Sequence, residues 1–150
     1  MAEGLLNRFD SEHFEALSAG MERGETHPLA VKAMSEIGID LERRIPRGID
    51  DVLGLHFDFV ITLSERAKAE CPVFQDAELV HWRFDDPLAA LDRTKQERMF
   101  QSLRDQMAQR IHLFGLVQVR ASEVESAAHP SPRFRSTPVH AYDSRSRLVA

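Results

Sequence analysis

The stretch that decides the fold is Phe57-Asp58-Phe59-Val60-Ile61-Thr62-Leu63, in which five of the seven residues are large and apolar. A nearly continuous apolar run of this length predicts a strand that is buried on both faces. Strands of this kind occur in parallel sheets whose two faces are covered by helices. The segment therefore predicts an α/β protein.

Two further strands are predicted, one on each side of this segment in the chain. Phe14 to Ala19 ends at Gly20, and Leu79 to Phe84 ends at the turn Asp85-Asp86-Pro87. Helices are predicted between them: one from Pro28 to a stop at Gly38, with His27 as its cap, and one over residues 64–71, capped by Ser64 and ended by Pro72. This alternation predicts a parallel sheet with right-handed crossovers.

The longest predicted helix covers about residues 94–116. Its apolar residues recur every three or four positions and form one stripe: Phe100, Leu103, Met107, Ile111 and Phe114. Trp82 is predicted to pack in the core or to shield the mouth of a site. The folded domain is accordingly predicted to span residues 1–117.

Residues 118–150 have a different composition, since 121–150 hold six Ser and three Pro. Proline prevents long regular structure, so this tail is predicted to be disordered. The alternative is a partner-binding arm that uses its arginines, Arg133, Arg135, Arg145 and Arg147.

Composition narrows the class of protein. The chain has 150 residues, a formal net charge of −5 and one cysteine. This length fits one domain with a real core, and the negative charge argues against a nucleic-acid partner. A single cysteine excludes an internal disulfide and fits a reducing compartment. No apolar run reaches the ~18 residues that would predict a membrane span. The expected location is the cytoplasm.

Asp86 is the first candidate for chemistry, because it follows the last predicted strand. Ligands bind beyond the carboxyl ends of strands in open α/β sheets, and Pro87 restricts how Asp86 is held. A carboxyl group in this position can protonate a leaving oxygen. Asp before Pro is a very common start of a helix, so the residues alone favour a plain N-cap over an acid, and both interpretations stay open.

Cys71, the only thiol, is either a small buried apolar residue beside a turn or a redox-active group. Its neighbour Glu70 would disfavour a thiolate through like charge. No short ligand spacing supports a metal site built from Cys71, His81 and Asp86, so no metal is predicted.

Five segments in order resemble the low-molecular-weight protein tyrosine phosphatase superfamily, and most closely its arsenate reductases. They are Met1-Ala2-Glu3-Gly4-Leu5-Leu6, Leu17-Ser18-Ala19-Gly20, Phe59-Val60-Ile61-Thr62-Leu63, Glu70-Cys71-Pro72-Val73-Phe74 and His81-Trp82-Arg83-Phe84-Asp85-Asp86-Pro87. The resemblance implies a three-layer α/β fold with a four-stranded parallel sheet. It implies that Asp86 is the general acid, that Asp85 belongs to the doubled Asp of arsenate reductases, and that Cys71 matches their distal redox cysteine.

The resemblance also indicates what this sequence lacks. In the family, a central strand and an oxyanion loop with a nucleophilic Cys, five residues and an Arg come directly before Met-Ala-Glu-Gly, and residues 1–150 contain neither. An absent central strand would leave a gap of ~10 Å in the sheet, so the chain is expected to fold poorly. The chain is expected to be truncated, with Met1 an internal methionine of a longer protein mistaken for its start, or else to be a remnant of one.

The function implied is thiol-dependent reduction of arsenate, inactive in this chain without the loop. The substrate would be arsenate or a phosphate-like oxyanion, with no bound cofactor. Ser64 stands where the middle redox cysteine is expected, so an external thiol of glutaredoxin, mycothiol or thioredoxin type would complete the reaction. The alternatives are a low-molecular-weight protein tyrosine phosphatase and a non-catalytic binding or regulatory remnant. The substrate-binding residues are left unassigned.

Overall fold

In the computed structural model, residues 1–128 and 146–149 are described. Helices and strands alternate along this part of the chain: α1 (Ala2–Phe9), β1 (Phe14–Leu17), α2 (Pro28–Ser35), β2 (Phe59–Thr62), α3 (Glu65–Glu70), β3 (Glu78–His81), α4 (Arg93–Ala128) and β4 (Ser146–Val149). One-turn 3-10 helices at Ile49–Asp51 and Pro87–Ala89 lie in the connections. The three predicted strands and the three predicted helical segments are confirmed.

The strands form one four-stranded sheet in the order β1-β4-β2-β3, and every neighbouring pair is parallel. The predicted parallel α/β architecture is therefore confirmed. Because the chain enters each of these strands from the same edge, their carboxyl ends lie together at the opposite edge.

The centre of the sheet corrects one of the sequence predictions. The central position is occupied by β4, which pairs Phe14 with Ser146 and Leu17 with Val149 on one side and Val60 with Val149 on the other. The ~10 Å gap expected from an absent central strand is therefore filled by the end of the same chain. The expectation of poor folding rested on that gap.

The predicted disorder of residues 118–150 is wrong at both ends of that range. Helix α4 continues to Ala128, and Ser146–Val149 is a strand. The helix passes the predicted end at residue 116 because Pro130 is the first proline after it, and Ala and Glu in between favour a helix. Residues 129–145, which include Arg133, Arg135 and Arg145, lie outside the described residues. No helix in the described part of the chain is long and apolar enough to cross a membrane.

Local signals explain where the short helices begin and end. The His27 ring accepts a hydrogen bond from the backbone N–H of Leu29 (3.2 Å), and Pro28 starts α2. The Ser64 hydroxyl accepts one from Ala67 N–H (3.1 Å) at the start of α3. After α2 the chain turns at Gly38, whose φ of 76° lies in the left-handed region that glycine tolerates best.

Apolar side chains are buried on both faces of the sheet, because successive residues of a strand point in opposite directions. Ile61 packs in the larger cluster with α1 and α4, whereas Val60 packs in the smaller one with Val52, Phe57 and Val149. The predicted stripe of α4 faces the core: Phe100, Met107 and Ile111 are buried, and Leu103 and Phe114 are partly buried. Trp82 is buried against Phe114, which confirms the core interpretation.

Candidate functional site at the carboxyl edge of the sheet

Two adjoining cavities lie at the carboxyl edge of the sheet, where open α/β folds bind ligands. One, of about 200 Å³, is lined by the start of α1 and by the loop 44–47. The other, of about 250 Å³, is lined by the ends of β2 and β4, by α3 and by Cys71. Ala19 and Gly20, which follow β1 after Ser18, line both cavities. This edge is the candidate site.

Glu3 is the most heavily hydrogen-bonded side chain of this edge. The residue is 9% exposed, and its carboxylate accepts hydrogen bonds from the backbone N–H of Ser18 (3.1 Å), from the Ser18 hydroxyl and from the Arg44 guanidinium (2.6 Å). Arg47 Nη1 lies 3.6 Å from Glu3 Oε2. A buried carboxylate is stable only when such donors replace its water, so Glu3 fixes α1 against the end of β1 and the arginine loop.

Residue 4 is a glycine because α1 packs closely there on Ile39 and Leu41, which follow α2. A Cβ at Gly4 would lie 3.0 Å from Ile39 Cγ2, closer than side chains normally approach. Glu3 therefore holds α1 in place through its ion pairs, and Gly4 lets α1 pack closely against Ile39. Sequence analysis missed the structural roles of Glu3, Arg44 and Arg47. The available signal was the run Arg43-Arg44-Ile45-Pro46-Arg47, three arginines within five residues.

We expect Glu3→Gln to lower the free energy of unfolding by about 1–3 kcal/mol, because it removes the charge that Arg44 and Arg47 pair with while retaining the side-chain volume. Urea unfolding followed by circular dichroism measures the change. Glu25→Gln is the matched control, since Glu25 is exposed, and it should stay within about 0.5 kcal/mol of the wild type. Equal stability of the two variants would contradict an anchoring role for Glu3.

His81, the last residue of β3, contacts the end of β2. Its Nδ1 lies 2.9 Å from the hydroxyl of Thr62, which is buried, and its Nε2 lies 3.4 Å from a carboxylate oxygen of Glu65 on α3. These contacts tie three elements together at the rim of the larger cavity. They do not include Cys71 or Asp86, so the structure does not assemble the metal site considered above, and the described residues hold no other cluster suited to a metal.

Asp86 lies at the predicted turn after β3 and is exposed. Its Oδ1 accepts a hydrogen bond from the backbone N–H of Leu88 (2.9 Å), which caps the 3-10 helix Pro87–Ala89. The capping interpretation is therefore confirmed, and the capped carboxyl group still faces solvent. Asp85 is exposed as well.

Cys71 ends α3 and lines the larger cavity. It is half-buried against the apolar cluster of Val52 and Phe57, and burial raises the pKa of its thiol. The prediction that the thiolate is disfavoured is therefore confirmed, but the cause is burial rather than the like charge of Glu70. The Glu70 carboxylate is engaged by Arg66, 3.2 Å away. A raised pKa makes Cys71 a poor nucleophile at neutral pH.

We expect alkylation of Cys71 by iodoacetamide to be slow at pH 7 and to accelerate about tenfold per pH unit up to at least pH 9. Burial favours the neutral thiol, so the thiolate fraction keeps rising until the pH passes a pKa above the usual value of 9.0. Mass spectrometry of the alkylated chain measures the rate. A plateau below pH 8 would show an activated thiol, which the structure does not predict.

The larger cavity brings Cys71 to the carboxyl edge together with Ser64 and Thr62. Asp86 does not line either cavity of this edge. His27, the cap of α2, stacks on Phe100 with ring centroids 5.0 Å apart, which gives it a structural role. The two predicted site residues thus occupy different places: one in the cavity wall and one at the exposed turn after β3.

Comparison with known proteins identifies the family. Residues 1–122 match the model of the low molecular weight phosphotyrosine protein phosphatases. The chain belongs to this family.

The relatives include several arsenate reductases. An arsenate reductase of Shouchella clausii is 42% identical over 117 residues, which cover 76% of this chain and 84% of that protein. An arsenate reductase of Bacillus subtilis is 36% identical over the same shares of the two chains. The resemblance inferred from the sequence is thereby confirmed.

Solved structures show the same fold. An arsenate reductase in an oxidized state aligns with a TM-score of 0.61 and 26% identity, over 73% of this chain and 81% of that one. An arsenate reductase from Archaeoglobus fulgidus aligns with a TM-score of 0.53 and 24% identity, over 74% of this chain and 87% of that one. The second likeness concerns the fold alone.

Proposed function

We propose that this chain carries the arsenate reductase form of its fold, for thiol-dependent conversion of arsenate to arsenite. The observation that carries the proposal is the 42% identity to an arsenate reductase across most of both chains. The carboxyl edge supports it, because the start of α1 and the ends of β1, β2 and β4 surround open space there. The substrate is arsenate, an oxyanion.

In this proposal the chain supplies the general acid of the reaction but not the nucleophile. Asp86 is the proposed general acid, and its exposed carboxyl group donates a proton to the leaving oxygen. The nucleophile is not Cys71, because burial raises the pKa of that thiol. Attack on arsenate therefore requires a cysteine loop that residues 1–150 do not contain.

Electrons come from outside the chain in this proposal. An internal relay needs a second cysteine near Cys71, and Ser64 stands there as the cap of α3. A hydroxyl cannot form a disulfide, so we propose that Cys71 has a structural role and that an external thiol of glutaredoxin, mycothiol or thioredoxin type supplies the electrons. No bound cofactor takes part. A reaction that consumes thiols fits the cytoplasm, which is the proposed location.

The purified chain of residues 1–150 is expected to show no arsenate reduction above background with an excess of glutathione, mycothiol or reduced thioredoxin. The reason is that its one thiol lacks an activating charge and an anion-binding loop. Adding a strand and a Cys-x5-Arg loop before Met1 is expected to create activity. Turnover by the unextended chain that disappears in Cys71→Ser would contradict the proposed role of Cys71.

The alternative activity is hydrolysis of phosphotyrosine, which the family description favours. Both reactions begin with attack of a thiolate on a tetrahedral oxyanion. The extended protein should be tested with arsenate and with phosphotyrosine. Phosphotyrosine turnover without arsenate reduction would reverse the preference. A non-catalytic binding role is the remaining alternative, favoured if neither substrate reacts in the extended protein.

A further inference from the structure

Of the described residues that line the smaller cavity of the carboxyl edge, three have charged side chains: Glu3, Arg44 and Arg47. One carboxylate thus meets two guanidinium groups, which leaves a surplus of one positive charge. Asp51, another carboxylate that Arg47 attracts, is already hydrogen-bonded by Arg23. The charge in this cavity therefore favours an anion.

Glu3 does not use up the hydrogen-bond donors of the two arginines. Arg44 donates to Glu3 Oε1 through Nη1 (2.6 Å), and Arg47 Nη1 lies 3.6 Å from Glu3 Oε2, which is too far for a hydrogen bond. A guanidinium has five N–H donors in a rigid fork that matches the oxygens of a phosphate-like anion. The two arginine side chains are 35% and 40% exposed, so both guanidinium groups remain accessible.

The start of α1 adds further donors at the same cavity. Met1 and Gly4 line the cavity, and no described side chain caps the helix. The N–H groups of a first turn have no partner within the helix, and they favour a negative charge nearby. The arginines and the helix start thus surround about 200 Å³ of space. This volume is several times the ~30 Å³ share of a water molecule, so a four-oxygen anion fits.

We propose that Arg44 and Arg47 form the oxyanion-binding pair of this protein and hold arsenate, or phosphate in its place, at the start of α1. Glu3 is the positioning residue of the pair, because it orients both guanidinium groups from a buried position. The inference rests on the proposed function for the choice of arsenate as ligand. Cys71 does not line this cavity, so an anion bound there is not attacked by that thiol.

Isothermal titration of the purified chain of residues 1–150 with arsenate, and separately with phosphate, tests the pair. We expect saturable binding of both anions at about millimolar concentration or below, and weaker binding when sodium chloride is added. Arg44→Gln should weaken binding at least about tenfold and Arg47→Gln at least about fivefold, because each removes charge-assisted hydrogen bonds. Arg47→Gln keeps the test informative if Arg44→Gln does not fold, since Arg47 lies further from Glu3.

Arg43→Gln is the matched control for these variants. It removes the same charge from the same loop, but Arg43 is exposed and does not line the cavity. Because solvent and salt screen an exposed charge, binding of both anions should stay within about twofold of the wild type.

Glu3→Gln separates an anion site from a purely structural cluster. It removes a negative charge beside the pair, and its amide oxygen can still accept a hydrogen bond from Arg44. Anion binding should therefore tighten about threefold or more, although the variant is less stable. A purely structural cluster predicts no such gain. The proposal is overturned if neither anion binds the wild-type chain, if Arg43→Gln weakens binding as much as Arg47→Gln does, or if Glu3→Gln weakens it.

Failure of the arginine pair and failure of the proposed function give different results. Arsenate reduction by the extended protein with an unchanged KM in Arg47→Gln would overturn the pair and leave the function standing. Anion binding by residues 1–150, together with no arsenate reduction by the extended protein, would remove the function and leave the pair.

Discussion

Deletion of residues 146–150 is expected to abolish cooperative folding of this protein. Strands β1 and β2 do not pair with each other, because β4 lies between them. Its removal leaves a gap of about 10 Å, twice the normal spacing between strands. Thermal unfolding followed by far- and near-ultraviolet circular dichroism should show retained helical signal without a cooperative transition.

The size of this effect follows from what β4 satisfies. The deletion removes the partners of β1 along its whole length and of β2 at Phe59 and Val60. Each buried backbone group left without a partner costs about 1–3 kcal/mol, and a small domain has about 5–15 kcal/mol in total. Loss of Val149 also opens the cluster of Val52, Phe57 and Val60. The sum is comparable to the whole stability.

A graded series separates this effect from a general sensitivity of the chain end. Val149→Asp places a charge in the apolar cluster and should destabilise by about 3–5 kcal/mol. Ser146→Ala, at the partly exposed start of β4, should change stability by no more than about 0.5 kcal/mol. A deletion variant that melts within a few degrees of the wild type would contradict the central role of β4.

Much of this fold could be predicted from the sequence, because the signals are local. The apolar run around Val60 is enough to specify a buried strand. The Ser64 hydroxyl caps α3 by accepting a hydrogen bond from the backbone N–H of Ala67, only three residues further along the chain. His27 and Pro28 define the start of α2 in the same way. Such signals need no knowledge of distant segments, and each of them is confirmed.

The central strand could not be predicted, because its identity is not local. Ser146-Arg147-Leu148-Val149 is short and follows a stretch rich in serine and proline, so its composition resembles that of a disordered tail. It forms a strand because β1 and β2 offer two unpaired edges. Pairing partners outweigh intrinsic preference in a short strand.

In the candidate site, too, local features could be predicted from the sequence and long-range contacts could not. Sequence placed Asp86 at the turn after β3 and Cys71 at the end of α3, and the structure has both there. It could not reveal that Glu3 is buried among Ser18, Arg44 and Arg47, because a glutamate in the first turn of a helix is equally typical of an exposed position. Burial of a charge depends on segments that meet only in the folded chain.

The capping role of Asp86 makes one substitution especially informative. In a protein that carries the strand and Cys-x5-Arg loop before Met1, Asp86→Asn should lower arsenate turnover by about 10²–10⁴-fold, the usual contribution of a positioned acid. Asparagine has the same shape and caps helices as well as aspartate, so its oxygen can still accept the hydrogen bond from Leu88 N–H. Only the proton donor is lost.

Measuring both arsenate turnover and unfolding stability shows whether Asp86 acts as a general acid or only as a helix cap. If it is the acid, Asp86→Asn loses turnover and keeps the unfolding midpoint, whereas Asp86→Ala loses turnover and also about 0.5–2 kcal/mol of stability with the cap. Asp85→Asn tests the neighbouring exposed carboxylate and should keep most of the activity. Should Asp86→Asn turn over arsenate at the unaltered rate, the carboxylate would be a cap alone, and the proton for the leaving oxygen would have to come from another group or from water.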